Sequence, residues 1–462
     1  MSPAASQGRD DAARPAARVL FGVGAAGVLV LLVGVWLLTR PDDSVRVVDP
    51  VWADEPSSGV VHYCSGKDIS HSQIRSVKDF KNRFHGQPLA EFEETLGTAR
   101  EQHDTYLDLL SEKSQSRCDV VYLDVPYMRE FAQKNLLYDM SPYLRPRQTR
   151  VNYPFDERMM NTVRYDGRLW GVPKHLDAPV LFYRKDKVSP RPRTWQEVLR
   201  QAQQPPGLPG LRFQSANYEG LTVVFLELAY SAGAQPVISG KDVQLDQPPA
   251  VEALKFLRSA VNTAVPSGSI GEIEEGSRYA LETGRALLIR SWSYTAARLR
   301  MDARTDEKRA KSKEQLERAR AMQRRTMKIG TLPVPPWNDR NGRSVGILGG
   351  HDLVIPRNAA HPRAAMQLID FLTSSPQVIQ DAQRFTLFPV IFNLQSAPEF
   401  TRNDWVRAIN ATTLLSRPVL ANYVEVSQAI STAVQGAMSG KGSVYDALHA
   451  LDGEVQKMVD KG

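Results

Sequence analysis

Short polar segments follow several β-rich runs of this sequence, and they hold the residues best suited to contact a ligand. Ser65–Asp68 follows the first of these runs, and Asp124 and Tyr127 follow another. Arg417 lies in an extended segment, where its guanidinium can donate a fork of hydrogen bonds to hydroxyls or to a carboxylate. These residue types bind polar molecules, although an ordinary polar loop explains Asp68 equally well.

Motifs of the common hydrolases and metal sites do not occur in the sequence. It contains neither a Gly-x-Ser-x-Gly elbow nor a His-Glu-x-x-His zinc site. Residues 436–441 resemble a phosphate-binding loop, but they are one residue short and lie between predicted helices. The eight histidines show no metal-ligand spacing. We therefore predict no catalytic residue, no cofactor and no metal, with an anchored hydrolase that uses distant carboxylates as the less favoured alternative.

Strands and helices alternate along the chain and must position these residues. Residues 60–64 form a β-rich run, Ile74 to Phe84 have helical spacing, and residues 119–124 form a second apolar run. The second run lacks strict alternation, as expected for a strand buried on both faces of a parallel sheet. This order predicts βαβ units and an α/β fold. A chain of 462 residues exceeds one core, so we expect two lobes.

An uncharged stretch near the N-terminus predicts a membrane anchor. Residues 19–39 are long enough to cross the hydrocarbon core as a helix, with Arg18 and Arg40 at its ends. The apolar run is longer than that of a signal peptide and ends in a poor cleavage site, so an uncleaved anchor is preferred over a cleaved signal. Residues 1–18 are then cytoplasmic, and residues 40–58 form a linker on the extracytoplasmic side.

The basic charge of the chain is concentrated in one segment. The net charge is +7 and the pI is about 9.2, but residues 300–328 alone contain eleven basic and five acidic residues. A nearly neutral remainder argues against nucleic acid as a partner. Residues 303–325 are polar almost all round, which predicts one exposed charged helix. A surface that lies against anionic lipid headgroups or a membrane partner is the alternative.

Two cysteines are too few for a disulfide scaffold. Cys64 ends one predicted strand and Cys118 starts another. If these strands run parallel in one sheet, the two thiols lie at opposite edges, beyond the reach of a bridge. Unpaired thiols are therefore expected, and a disulfide is the alternative.

A set of short motifs occurs in a characteristic order. They are 119–126, 171–173, 182–186, 192–195, 284–286, 291–294, 348–350, 371–376 and 417–419. No motif is specific by itself, but their order makes the chain from Val60 onward resemble the extracellular solute-binding proteins (family 1) that serve ABC importers. Within this family the chain resembles the sugar-binding branch, and within that branch it resembles the actinobacterial members.

That resemblance implies a type II periplasmic-binding-protein fold, in which two hinged α/β lobes close on a ligand. Residues 59–175 and 350–394 would form lobe 1, and residues 176–349 and 395–462 would form lobe 2. The segment 303–325 would be an insertion in lobe 2. Ligands of open α/β sheets bind beyond the carboxyl ends of the strands, so the ligand would lie between the lobes.

The same resemblance assigns the ligand site. Asp177 stands where the family commonly has a ligand-binding carboxylate at the first hinge, and the loop with Asp124 and Tyr127 meets the ligand in relatives. Trp292 and Tyr294 occupy the family's tryptophan-containing loop, where stacking on a sugar is preferred over simple core packing. The predicted ligand-binding residues are Asp68, Asp124, Tyr127, His175, Asp177, Trp292, Tyr294, Gly350, His351 and Arg417.

Two departures from the family pattern affect the expected ligand. Lys174-His175 replaces the usual aromatic or amide residue, and His351 stands where relatives often have a tryptophan. We expect a membrane-anchored, extracytoplasmic component of an ABC importer that binds a carbohydrate or related small polar ligand between its two lobes and has the ABC permease subunits as partners. An acidic or amino-substituted ligand is also compatible with Lys174. A sensor or structural partner with the same fold, including one that has lost its ligand, is the alternative.

Overall fold

The computed structural model describes most of the chain beyond the predicted anchor. None of the described helices has the length and apolarity needed to cross a membrane. The predicted anchor at residues 19–39 lies outside the described residues. The described ranges are 59–85, 89–94, 99–111, 118–148, 155–203, 210–261, 263–339 and 342–461.

Fifteen strands occur in the described part of the chain. They are β1 (Val60–Ser65), β2 (Leu89–Glu94), β3 (Val120–Asp124), β4 (Arg164–Tyr165), β5 (Arg168–Leu169), β6 (Val172–Asp177), β7 (Pro179–Arg184), β8 (Leu211–Arg212), β9 (Ile238–Ser239), β10 (Asp242–Val243), β11 (Leu288–Trp292), β12 (Ile329–Leu332), β13 (Val345–Ile347), β14 (Gly349–Val354) and β15 (Thr413–Leu415). Two larger sheets carry the fold, in the orders β2-β1-β3-β14-β6 and β12-β7-β11-β8.

The first sheet is mixed. β1 runs parallel to β2 and β3, whereas β14 runs antiparallel to β3 and β6. The expected parallel pairing is therefore present only at one side of the sheet. β3 is central, and its Val120, Val121 and Leu123 are fully buried, as expected for a strand covered on both faces.

The chain passes from the first sheet to the second over very short distances. β6 ends at Asp177 and β7 begins at Pro179, so only Ala178 lies between the two sheets there. The return runs from β13, which pairs with β15 outside both sheets, to β14 of the first sheet through Leu348. Asp177 therefore lies exactly where one sheet ends and the other begins.

Helices cover both sheets. They are α1 (Ser72–Arg83), α2 (Ala99–Leu109), α3 (Met128–Gln133), α4 (Ser141–Gln148), α5 (Glu157–Thr162), α6 (Trp195–Ala202), α7 (Glu219–Ser231), α8 (Pro248–Ala260), α9 (Glu274–Thr283), α10 (Thr295–Arg309), α11 (Lys313–Thr326), α12 (Pro362–Leu372), α13 (Ser375–Phe385), α14 (Phe392–Gln395), α15 (Pro398–Thr401), α16 (Asp404–Asn410), α17 (Tyr423–Met438) and α18 (Val444–Lys461). Each sheet has its own apolar core, which includes Phe131 in the first and Phe225 in the second. A third cluster around Phe182 and Phe388 joins the two.

The charged segment 303–325 forms parts of two helices, α10 and α11, and not the single helix that its composition predicted. The break falls at residues 310–312, because Ser312 caps a new helix by accepting a hydrogen bond from the Gln315 N–H at 3.1 Å. Arg320 pairs with Glu307 across the two helices at 3.2 Å. Most described side chains of α11 are exposed or half-buried, and Ala319 is buried.

Cys64 and Cys118 form a disulfide with Cα atoms 5.7 Å apart, which corrects the expectation of unpaired thiols. That expectation placed Cys118 within a strand. β3 instead begins at Val120, and the chain bends at Asp119, whose carboxylate accepts a hydrogen bond from the His62 N–H at 3.0 Å. Cys118 is therefore not held in strand register with β1 and lies within bridging range.

Replacing both cysteines with serine is expected to lower the free energy of unfolding by about 2–4 kcal/mol. The bridge spans 54 residues, and a cross-link over a loop of this length restricts the unfolded chain strongly. Denaturation in urea with and without reductant measures the effect. Reductant should destabilise the wild-type protein and leave the double variant unchanged, and equal responses of the two proteins would contradict the bridge.

Candidate functional site

The end of β6 and the start of β14 place three predicted site residues side by side. His175 and Asp177 are two residues apart on β6, so strand alternation directs both to the same face. In the antiparallel ladder His351 pairs with His175, and Gly349 pairs with Asp177. Gly350 has φ +133°, and a Cβ there would lie 2.3 Å from the His175 carbonyl oxygen. Glycine therefore permits the close approach of the two strands.

These residues face a cavity of about 100 Å³ between the two sheets. One wall comes from the first sheet and from the loop after β1, and Tyr294 at the start of α10 contributes from the second sheet's side. Ligand sites commonly occupy such junctions of open α/β sheets. The lining residues are Ser65, Gly66, Lys67, Asp68, Ile69, Ser70, Gln73, Gln102, Tyr122, His175, Asp177, Tyr294, His351 and Leu387.

Tyr122, His175 and His351 form a stacked group at the cavity wall. The rings of Tyr122 and His351 are 4.0 Å apart and nearly parallel, and those of His175 and His351 are 5.3 Å apart. The Tyr122 hydroxyl lies 2.9 Å from His175 Nδ1, and His175 Nε2 lies 3.1 Å from an oxygen of Asp177. The Ser293 hydroxyl donates to the other Asp177 oxygen at 3.2 Å.

The protonation of this group follows from its burial and its hydrogen bonds. Burial lowers the pKa of His351 to about 3, and nearby His175 acts in the same direction, so its imidazole is neutral. Burial opposes ionisation of Asp177, but His175 and the hydrogen bond from Ser293 outweigh it and lower the pKa of that carboxyl. Burial, together with Tyr63 and Asp177, raises the pKa of Tyr122 well above its usual value. The wall therefore presents a carboxylate, a neutral imidazole and a neutral phenol.

Asp68 lines the cavity but uses its carboxylate to cap α1. Its oxygens accept hydrogen bonds from the backbone N–H groups of Ser72, Gln73 and Ile74 at 2.9–3.1 Å. Such contacts satisfy the free N–H groups at the start of a helix. Because these bonds occupy the carboxylate, the structure gives Asp68 a structural role at the rim of the site.

Lys174 does not face the cavity, which corrects the expectation that it adds a cation there. It is the extra residue of a β-bulge, because Asp352 pairs with Pro173 while His351 pairs with His175. The Lys174 ammonium is buried and donates to Asp381 and to the Leu372 carbonyl, both at 2.7 Å. Its charge therefore gives no support for an acidic ligand.

Arg417 and Asp124 meet outside the cavity, where they join the two sides of the molecule. Arg417 donates to Asp124 at 3.3 Å and to Glu219 of α7 at 2.8 Å. The Tyr423 hydroxyl also donates to Glu219, at 2.7 Å. Tyr127 lies in the first core, with its ring 4.9 Å from that of His103. Asp124 is the cross-strand neighbour of His351, but none of these three predicted residues lines the cavity.

Trp292 packs against the second core. The Arg290 guanidinium lies 4.2 Å from its ring centroid, and the indole N–H is 3.4 Å from a Glu274 oxygen. A Cβ on Gly349 would lie 3.1 Å from the ring, so the indole also packs against the strand that returns to the first sheet. Stacking of Trp292 on a ligand stays a prediction.

Sequence reasoning missed three residues of the site region. Tyr122 lies two positions before Asp124 on β3, and strand alternation could have directed attention to it. Gln102 on α2 lies over Gly66, where a Cβ would come within 1.9 Å of its side-chain oxygen. No local signal marked Gln102 or Glu219, because the contacts of both arise from tertiary packing.

The chain is similar to known binding proteins over most of its length. It is 27% identical over 373 residues, 75% of this chain and 81% of the other, to a Deinococcus radiodurans protein named "probable ABC transporter-binding protein". Maltose-bound MalE3 of T. maritima matches with a TM-score of 0.73 and 27% identity, covering 86% of this chain and 99% of that one.

A second solved structure supports the fold alone. The solute-binding protein of Thermotoga lettingae bound to α-D-tagatose matches with a TM-score of 0.72 and 19% identity, over 87% of this chain and 100% of that one. The fold is thus that of the type II periplasmic binding proteins. The family model of the bacterial extracellular solute-binding proteins matches residues 77–408. The chain therefore belongs to the bacterial extracellular solute-binding proteins, a family that binds solutes and does not consist of enzymes.

Proposed function

We propose that this protein captures one neutral sugar or sugar alcohol of monosaccharide size between its sheets and delivers it to an ABC importer. The observation that carries the proposal is the cavity lined by Tyr122, His175, Asp177 and His351. An ionised carboxylate accepts hydrogen bonds from ligand hydroxyls, and buried polar groups reject molecules that leave them unpaired. Tyr294 lines the same cavity from the other side.

The properties of the relatives support the ligand class and the transport role. MalE3 holds maltose, the Thermotoga lettingae protein holds tagatose, and the Deinococcus radiodurans relative is named for an ABC transporter. The cavity of about 100 Å³ is below the usual 300–1,000 Å³ of small-molecule sites and favours a monosaccharide over maltose. The ionised Asp177 disfavours an anionic solute.

The proposal also includes the division of the chain into two lobes and its attachment to the membrane. Residues 59–175 with 350–394 form lobe 1, and residues 176–349 with 395–462 form lobe 2, with the ligand between them. The stretch 19–39 anchors the protein in the cytoplasmic membrane as a single span, so that both lobes lie on the extracytoplasmic side. Its length and lack of charge support this role. A tethered binding protein stays close to its permease, which raises its effective concentration there.

Calorimetric titration of the purified full-length protein tests the proposal. Neutral monosaccharides, sugar alcohols, amino sugars and maltose are compared, and the recovered ligands are analysed for chemical change. We expect one ligand per chain, tighter binding of a monosaccharide or sugar alcohol than of maltose, and unchanged ligand at the end. Turnover of a sugar would contradict the proposal. A folded protein that binds none of the compounds would instead favour a structural partner role.

A further inference from the structure

Two imidazoles and one carboxylate converge at the wall of the cavity. His175, Asp177 and His351 each offer one ligand atom, and these atoms lie within 4.8 Å of one another. His175 Nε2 and the nearest Asp177 oxygen are 3.1 Å apart. Two ligand atoms bound tetrahedrally to one zinc ion at about 2.0–2.1 Å are separated by roughly 3.3 Å, so this pair is already close to chelating distance.

His351 provides an independent indication. Its Nδ1 is buried, and among the residues that the structure describes this atom has no hydrogen-bond partner. A buried polar atom without a partner costs free energy and calls for a ligand or another explanation. The His351 ring is fixed between its neighbours, with Tyr122 stacked at 4.0 Å and His175 at 5.3 Å. The unpartnered nitrogen therefore belongs to one of the three side chains of the cluster, whose ring stacks on both neighbours.

Tyr122 positions the His175 ring at the cluster. Its hydroxyl lies 2.9 Å from Nδ1 and 3.3 Å from Nε2 of His175, and Nε2 also lies 3.1 Å from an Asp177 oxygen. Metal-binding histidines are commonly oriented by a polar group outside the ligand set. Tyr122 is such a group here, because its hydroxyl contacts the imidazole without being one of the three ligands.

The chemistry of the donors selects the class of cation. Imidazole nitrogens suit zinc and other divalent transition metals, whereas calcium and magnesium prefer sites built from oxygen alone. Two histidines and one carboxylate are also the protein ligands of zinc sites that keep an open position for water or another molecule. All three side chains of this cluster line the cavity.

We propose that His175, Asp177 and His351 bind one divalent transition-metal cation of the zinc class in the cleft. In this proposal the cation binds His351, whose Nδ1 has no hydrogen-bond partner among the described residues, and one coordination position of the cation is left for an oxygen atom of the solute. This inference deepens the proposed function, and it rests on that function only for the molecule that fills the open position. The metal site itself rests on the three side chains and Tyr122.

Zinc titration of untagged, chelator-treated full-length protein tests the proposal, with a chromophoric chelator as competitor and calcium and magnesium as comparison ions. We expect one zinc ion per chain and much weaker binding of calcium and magnesium. His351→Gln should weaken zinc binding by more than the roughly 10- to 100-fold that loss of an outer-shell partner costs. His449→Gln is the matched control, because His449 is an exposed histidine paired with Asp246 and should leave zinc binding unchanged.

Tyr122→Phe is the second variant, because it keeps all three ligands and removes only the hydroxyl. We expect it to fold like the wild type and to lose roughly 10-fold in zinc affinity. Absence of zinc binding, or equal binding by the His351→Gln, Tyr122→Phe and His449→Gln variants, would overturn the site.

Titrating sugars into metal-free and zinc-loaded protein separates this inference from the proposed function. Zinc binding at the cluster without binding of any sugar would overturn the sugar proposal and leave the metal site standing. Sugar binding by a protein that does not bind zinc would overturn the metal site and leave the proposed function standing.

Discussion

Replacing Asp177 with asparagine is expected to weaken binding of the preferred sugar by roughly 10- to 150-fold, or about 1.5–3 kcal/mol, the usual value of a hydrogen bond to a charged group. The Asp177 carboxylate lies at the junction of the two sheets and faces the cavity. Asparagine keeps its shape but loses the charge and one acceptor oxygen. Ligand hydroxyls that donated to the carboxylate then lose a strong partner.

The melting temperature of this variant is expected to stay close to that of the wild type. The contacts of Asp177 outweigh the desolvation of its carboxylate, so the amide gives up a small net stabilisation when it loses the ionic contact with His175 and avoids the desolvation cost. Calorimetry on chelator-treated protein measures the sugar affinity, and thermal denaturation measures stability. Removal of metal ions ensures that the affinity reports contact with the sugar alone.

Asp352→Asn provides the matched control. Asp352 is a fully buried carboxyl on β14, next to His351 in sequence, but it accepts hydrogen bonds from Thr162 and does not line the cavity. Burial raises its pKa well above the usual value, which favours the protonated form, and asparagine is a close replacement for that form. Sugar affinity should be unchanged in this variant. Equal losses of affinity in the two variants, or a steep fall in melting temperature for Asp177→Asn, would make Asp177 structural.

The largest loss of stability is expected when Glu227 is replaced with leucine, at about 3–5 kcal/mol, because a buried arginine then loses its carboxylate partner. Arg290 and Glu227 are both about 1% exposed, beside the core of the second sheet. Arg290 Nε donates to Glu227 at 2.9 Å, and a second guanidinium nitrogen donates to the other oxygen of the same carboxylate. The Gln214 side chain accepts from Arg290 at 2.8 Å.

Chemical denaturation measures this loss, and two further variants show its origin. Combining Glu227→Leu with Arg290→Met should recover much of the stability, because replacing both members of a buried ion pair with apolar residues is often neutral. Glu314→Ala removes the exposed pair with Arg318 on α11 and should cause no measurable change, since both side chains are about three-quarters exposed. Equal effects of the buried and exposed replacements would contradict this account of the core.

The family resemblance marked Asp177 as a hinge carboxylate, but no strand was predicted from the sequence through His175 and Asp177, where the structure has β6. With the strand in place, the two-residue spacing of His175 and Asp177 puts both on one strand face. The bulge at Lys174 could not be predicted, because it depends on how β6 pairs with β14, far along the chain. It turned an expected cleft cation into a buried partner of Asp381.

Contacts between distant segments account for the other differences between the predictions made from the sequence and the structure. His175 and His351 have no metal-ligand spacing in the sequence, and only the antiparallel pairing of their strands makes them neighbours. The bend at Asp119, which places Cys118 beside Cys64, is likewise stabilised by residues far from it in sequence. Arg417 was predicted to contact the ligand because of its residue type and its position in an extended segment. Its two carboxylate partners could not be predicted, because they come from separate elements. Patterns along the chain predict elements, whereas such pairs depend on the fold.

A crystal structure of the full-length protein with its preferred sugar tests the central claim most directly. We expect density for one sugar molecule between the two sheets, with a ligand hydroxyl within hydrogen-bond distance of Asp177 and with Tyr294 at the opposite wall. A sugar bound elsewhere on the protein, with the cavity around Tyr122, Asp177 and His351 left to water, would contradict the claim.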